Sequence, residues 1–451
     1  MRRARAVLLG ALALAVGACG GTRTPVDGGL AQAYRDGVPA FSLDAIASVR
    51  DDRSGIDVYL GAPPSSVVFR QGRGGQQEAV AVWAVSVEQE GRPPIAVEHV
   101  DTLRVPAERP MHEAPSIAWT RRVDVPPGAY RVRAMLEDGV SGRSASRLDE
   151  VVVLTPDAEP SLGELRFESA GKGSPTPVLP LDVPAGLASL QVVTQATAVP
   201  AGAETVVTVE RVRADSVAAA PLSAFTPSYG SLAAAGIDPA SADTLLTVRQ
   251  SADASGDHVD LVAPIPALQP GVYRVSVSLT GEPPLVRSRL VIVRRPDYPL
   301  VTRQGDLIDP LVYLASPGEW DRLRQARGPF QQRRAFDAFW GEQIDDRRVA
   351  AATVRAYYER VEEANRLYAT HKPGWKTDRG LVYVLFGPPA FVESSPRGET
   401  WTYGARVPVF AFTYTAGRPG DALAVLTLQR QREYDDALRR VRRLWRTGTP
   451  P

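Results

Sequence analysis

The sequence predicts a multidomain chain in which two all-β sandwich modules precede a small α+β domain, with helices first and then an antiparallel meander. Three observations carry this prediction. At 451 residues the chain exceeds what one hydrophobic core serves, so it divides into several domains. From about residue 45 to 295, short runs of alternating apolar residues are separated by Gly and Pro clusters, with no helical period. After Arg294-Arg295-Pro296 the period lengthens to that of helices, and beyond Gly387 short strands return. The 52 basic and 51 acidic residues give a net charge of +1, which supplies no global field for a polyanion, so no nucleic-acid partner is expected.

Residues 1–19 read as a secretory signal. Arg2, Arg3 and Arg5 form a positive start, Ala6 to Ala18 is a 13-residue apolar run too short to span a bilayer comfortably, and small residues precede Cys19. Val16-Gly17-Ala18-Cys19 resembles the lipobox of bacterial lipoproteins, in which the cysteine thiol receives acyl chains such as palmitate and becomes the new N-terminus. Cys19 is the only cysteine, so an intrachain disulfide and a cysteine metal site are excluded. The resemblance implies a membrane partner through the lipid anchor. With Gly20 rather than aspartate after the cysteine, it implies the outer membrane in a host with two membranes. Residues 20–44, rich in Gly, Thr, Pro and Asp up to about Ala40, are expected to form a flexible tether.

The first β module is placed at residues 45–157, with strands around Ile56–Leu60, Ala79–Val87, Tyr130–Ala134 and Val151–Leu154. The second is placed at 158–297, with a strand around Val206–Val209 and an Ala-rich loop, carrying at most a short helix, over Ala218–Ala242. Pro-Gly-x-Tyr-Arg-Val occurs twice, at Pro127–Val132 and Pro270–Val275, 143 residues apart and each time before a closing β run. A turn, a tyrosine entering a strand and alternation afterwards recur in immunoglobulin-like and fibronectin-like sandwiches, so the pair is read as two such modules.

The α+β domain is placed at 298–430. Ser316-Pro317-Gly318-Glu319 is a capping box with proline at the first helical position. A second helix should carry Phe336, Phe339 and Trp340. A third, Arg348 to Thr370, sets Val354, Tyr357, Tyr358, Val361, Ala364, Leu367 and Tyr368 on one face. The apolar run Leu381–Phe386, set between Asp378-Arg379-Gly380 and Gly387-Pro388-Pro389, is expected to be a buried strand. Strands at Glu399–Tyr403, Val409–Tyr414 and Ala422–Leu428 follow. Residues 431–451 hold a basic amphipathic helix and tail, with arginines 439, 440, 442, 443 and 446 largely on one side.

Gly374-Trp375-Lys376-Thr377-Asp378 spells the motif of the GWxTD domain of bacterial proteins, which residues 300 to 430 resemble. Phe336–Trp340, Glu363–Arg366, Val382–Pro389 and Glu399–Tyr403 extend the likeness. One departure is Ala390, where relatives often carry an acidic residue after the prolines. The resemblance names a domain without an assigned biochemical role.

Trp375, Thr377 and Asp378 are the first candidates for a binding surface, together with Gly374, Gly387, Pro388 and Pro389. The competing structural reading spends Asp378 and Thr377 on the amides of Arg379 and Gly380 in an Asx-type turn and packs Trp375 beneath a helix. His99, His112, His258 and His371 are scattered without ligand spacing, so no metal site is expected, and no cofactor motif is present. No nucleophile has a visible base. The reading is a lipid-anchored envelope protein with a binding or scaffolding role and an envelope protein or peptide as partner. Two alternatives stay open: an envelope hydrolase acting on peptide or glycan through Asp378 with an acid such as Glu399, and an accessory subunit of an envelope complex.

Overall fold

The computed structural model describes residues 30–451, apart from 34–38, 40, 51–52, 63, 73–74, 107–116, 154–159, 170–175, 179–182, 189, 200–201, 223, 225–229, 252–257, 282–283, 295–303, 343, 396 and 417–424. The signal segment, Cys19 and the first part of the expected tether lie outside the described residues. In the later part, Leu30–Ala33 form a strand, β1, which pairs far away in the C-terminal sheet.

The first β unit begins earlier than the sequence suggested. It comprises β2 (Ser42–Arg50), β3 (Arg53–Ala62), β4 (Arg70–Gln71), β5 (Gln76–Glu88), β6 (Ile95–Pro106), β7 (Ile117–Asp124), β8 (Gly128–Asp138) and β9 (Ser144–Val153). β2, β3 and β7 form one antiparallel sheet, and β6, β5, β8 and β9 form another, with β4 added at one end of β5. Side chains of a strand alternate between its faces. On β5 the inward face is therefore Ala79, Ala81, Trp83, Val85 and Val87, all buried in one cluster with Leu43 and Ile56 of the facing sheet.

The second unit repeats this plan. It comprises β10 (Ser161–Leu162), β11 (Arg166–Ser169), β12 (Thr176–Pro177), β13 (Val183–Pro184), β14 (Leu190–Thr197), β15 (Glu204–Ala214), β16 (Ile237–Ser251), β17 (His258–Pro264), β18 (Gly271–Leu279) and β19 (Leu285–Arg294). β11, β14 and β17 stand where β2, β3 and β7 stand, and β16, β15, β18 and β19 where β6, β5, β8 and β9 stand. The repeated Pro-Gly-x-Tyr opens β8 and β18. In each copy the tyrosine hydroxyl donates to a carbonyl four residues upstream, Tyr130 to Pro126 and Tyr273 to Gln269, both at 2.7 Å. The segment Ala218–Ala242 departs from a simple loop. It holds a 3-10 turn, Ala233–Ala235, and the start of β16, a strand that reaches back to Ile237 through two register shifts against β15.

The C-terminal part carries the helices α1 (Gln304–Ile308), α2 (Pro317–Gln325), α3 (Gly328–Gly341), α4 (Arg347–Tyr368), α5 (Asp378–Phe386) and α6 (Tyr434–Arg446). Its strands are β20 (Phe391–Ser395), β21 (Gly398–Thr402), β22 (Phe410–Ala416) and β23 (Val425–Leu428), in an antiparallel sheet ordered β1-β20-β21-β22-β23. The Ser316 capping box forms as read. Leu381–Phe386, expected as a strand, is instead the body of α5. Every residue of α5 is buried. A helix wrapped by protein on all sides needs apolar residues all round and so carries no amphipathic period. α6 belongs to the same core, with Tyr434, Leu438, Val441 and Trp445 buried among residues of α4 and α5.

Candidate functional site

The motif forms the approach to α5. Gly374–Lys376 is one 3-10 turn, and Thr377 then caps α5, accepting the Gly380 amide at 3.0 Å and donating its hydroxyl to the Gly374 carbonyl at 2.7 Å. Two glycines are required by packing. A Cβ on Gly374 would overlap the Ala364 carbonyl of α4, and one on Gly380 would overlap the Gly374 carbonyl. The turn is thereby pressed against α4 and α5 against the turn. Trp375 is buried edge-on to Tyr313, its amide donating to Asn365 at 3.2 Å and its carbonyl accepting the Tyr313 hydroxyl at 2.8 Å. Burial raises the Tyr313 phenol well above its ordinary value, so it acts as a neutral donor.

Asp378 departs from the expected Asx turn. Its carboxylate faces the Arg430 guanidinium, with Oδ1 at 2.5 Å from Nη2 and Oδ2 at 3.1 Å from Nη1, and Oδ2 also accepts the Leu428 amide at 2.7 Å. Both side chains are under 10% exposed, at 7% and 4%. Glu399 is likewise engaged, 3.5 Å from Arg379 and accepting the Trp401 indole N–H at 3.2 Å. Arg379 lies over the Tyr368 ring at 5.1 Å. Each acid of the pair named in the hydrolase alternative thus faces its own arginine. The cavity beside Asp378, lined also by Tyr368, Thr370, Lys372, Arg379 and Thr427, measures about 20 Å³, room for about one water molecule.

What the motif does hold is a piece of the second β unit. The segment after β15 lies across it: Lys376 Nζ donates to the Ser216 carbonyl at 3.0 Å, Lys372 Nζ to Val217 at 3.2 Å, and the Ala219 amide to the Lys376 carbonyl at 2.9 Å. Arg430 completes the joint through the carbonyls of Ala220 and Pro221, each at 3.2 Å. Leu222 is fully buried in the C-terminal core, and Val212, Ile237 and Ile292 share a small cluster with Ala416 and Val425. Burial lowers the Lys372 ammonium from its ordinary value, opposed by Asp215 and Asp378. It also brings His371 down to about 4, so that the imidazole is neutral near pH 7.

At the far end of α5, Gly387 closes the helix with φ of 80°, and its carbonyl accepts the Tyr403 hydroxyl at 2.8 Å. Pro388 is exposed and Pro389 buried, and neither lines the cavity at Asp378. The sequence reading missed Arg430, Arg379 and the 215–222 segment. Position gave no signal for them, since Asp378 and Arg430 lie 52 residues apart. The arginines of α6 are largely spent within the fold. Arg442 donates to the Tyr313 carbonyl at 2.6 Å, Arg446 pairs with Glu319 at 2.6 Å over the Phe339 ring, Arg440 donates to the Arg406 carbonyl at 3.0 Å, and Arg439 pairs with Asp436. Among the described residues no group of three or more His, Cys, Asp or Glu is placed to hold a metal ion, and no helix is long and apolar enough to cross a membrane.

The chain is thus a mostly β protein whose C-terminal helices and sheet are organised by a buried Gly-Trp-Lys-Thr-Asp turn. It contains a GWxTD domain: the model of that family matches residues 277–447, a wider span than the 300–430 suggested by the motifs, taking in α6 and part of the second β unit. No curated protein matches the chain. Among solved structures, red sea bream transglutaminase is similar at 12% identity with a TM-score of 0.17, over 57% of this chain and 32% of that one, so this chain spans about a third of its length.

Proposed function

We propose that this chain is a lipid-anchored cell-envelope protein that binds or scaffolds an envelope protein or peptide, without catalysis by its GWxTD domain. The observation that carries the reading is the closure of Asp378 by Arg430, because both carboxylate oxygens are already engaged and the cavity beside them, about 20 Å³, has room for about one water molecule and none for a peptide or sugar. The motif serves as a joint that fixes the second β unit to the C-terminal domain. The three-plus-four strand arrangement of both β units, with the same tyrosine hydrogen bond in each, supports immunoglobulin-like or fibronectin-like sandwiches in tandem, a common spacer and platform. The lipobox-like Val16–Cys19 supports the anchor.

Two measurements test the reading. Growth with a fatty-acid probe should label the chain and leave Cys19→Ser unlabelled. Purified protein should turn over neither envelope glycan nor peptide. Turnover that disappears in a folded Asp378→Asn or Glu399→Gln variant would replace the scaffold with the hydrolase.

A further inference from the structure

α3 departs from what folding alone would select. Its inner face is built from Phe336, Phe339 and Trp340, packed on Tyr358 and Tyr357 of α4. On its outer face Phe330 is 79% exposed, the most exposed large apolar side chain among the described residues. Residues three and four apart share a helix face, so Phe330 lies beside Arg333 and Arg334, and Arg327 stands just before them at the N-cap of the same helix. All three arginines are exposed. Arg333 has an acidic neighbour, Asp337, at 3.9 Å, whereas Arg327 and Arg334 face no carboxylate among the described residues. An uncovered aromatic ring beside two arginines without a carboxylate partner adds nothing to the core, and it matches the surface chemistry of an anionic bilayer, where a ring sits among the headgroups and each arginine meets a phosphate.

A second observation places the same domain near a membrane. β1 is added to the edge of the C-terminal sheet, Leu30 opposite Ser394 and Ala33 opposite Phe391. Ten residues separate Leu30 from Cys19, and the eleven steps between them, fully extended, span at most about 40 Å. An anchor at Cys19 would therefore hold the C-terminal domain, and not only the first β unit, within that distance of the bilayer.

We infer that the GWxTD domain is the membrane-facing part of the molecule and that the Phe330 corner of α3, with Arg327 and Arg334, seats on an anionic lipid surface. The tether argument rests on the anchor proposed above, whereas the surface argument does not. The test uses the full chain as Cys19→Ser, so that no acyl chain contributes, with vesicles of phosphatidylcholine alone or mixed with phosphatidylglycerol. Co-sedimentation with the anionic vesicles only is expected. Binding should weaken about fivefold for each arginine removed in Arg327→Gln and Arg334→Gln, weaken in Phe330→Ala, and fall with salt. These side chains are exposed, and unchanged thermal melting would show that the variants fold. If the chain ignores anionic vesicles, or binds them equally well with all three residues replaced, the inference is overturned, and an acidic protein surface becomes the occupant to test. Labelling at Cys19 is read separately: an acylated chain without vesicle binding refutes this inference alone, and vesicle binding without acylation refutes the anchor alone.

Discussion

Asp378 and Arg430 form a buried two-contact ion pair, and the same guanidinium reaches the carbonyls of Ala220 and Pro221 in the preceding β unit. One arginine thus neutralises the motif carboxylate and fastens two parts of the chain. Planar, forked donors suit this double task, which a lysine could not perform.

Removing one member of such a pair leaves the other charged and buried, at a cost of about 3–5 kcal/mol. Asp378→Ala should lower the unfolding free energy, read from urea denaturation, by that amount. Replacing both residues, as Asp378→Leu with Arg430→Met, should recover part of the loss, because buried pairs often exchange for apolar groups at little cost. A double variant no more stable than the single one would show that the pair acts mainly by holding the 215–222 segment.

The glycines give a sharper contrast. Ala at Gly374 or Gly380 would overlap backbone that cannot move without displacing α4 or α5, so both variants should lose the cooperative transition of the C-terminal domain. Ala at Gly318 meets nothing within 4 Å and sits in α2, where it should raise stability by up to about 1 kcal/mol. Thermal melting of the three variants separates the cases.

Thr377→Val keeps the shape and loses the cap, so α5 should be destabilised by about 1 kcal/mol, with Thr377→Ser close to the natural protein.

This cap also marks where sequence reading could have gone further. Leu381–Phe386 is short, apolar and bounded by Gly and Pro, and periodicity cannot distinguish a fully buried helix from a buried strand over such a length. Thr377 before Asp378, with Gly387 nine residues on, is nevertheless a start and stop pattern for a helix. The long amphipathic α4 was legible because one side of it faces solvent, and the Ser316 box because capping is local. Arg430, Arg379 and the 215–222 segment were not legible, since their partners are set by tertiary packing. β1 was hidden for another reason: an edge strand is held by backbone hydrogen bonds, which leave little trace in side-chain pattern.

His371 supplies a pH dependence. Its ordinary value of 6.5 falls to about 4 in the folded chain, through burial and the neighbouring Lys372, with Asp215 opposing. Between those values the unfolded chain binds a proton that the folded chain does not. Stability from this group is therefore complete above pH 6.5 and declines as the pH falls toward 4, with a slope of at most about 1.4 kcal/mol per pH unit. Unfolding free energies from urea denaturation at pH 7 to 4 should show this slope, and His371→Gln should flatten it whatever its effect at pH 7.

The joint between the second β unit and the C-terminal domain makes the last prediction. Leu222 is fully buried in the C-terminal core, although it belongs to the connection between β15 and β16. Truncation to alanine in a core costs about 2–5 kcal/mol, but here the loss falls on the joint rather than on either core alone. The backbone contacts at Ser216, Val217 and Ala219 depend on the segment staying in place, so they should loosen together. In the natural chain the second β unit and the C-terminal domain should unfold in one transition, and in Leu222→Ala they should separate into two. Brief protease treatment should cut Leu222→Ala between residues 215 and 224 sooner than the natural chain. Val275→Ala, buried in the core of the second unit, provides the contrast: it should lower that unit's stability without exposing the segment first. If Leu222→Ala unfolds in a single transition and resists cleavage, the segment merely covers the motif, and the two parts are held together by the cluster of Val212, Ile237, Ala416 and Val425 instead.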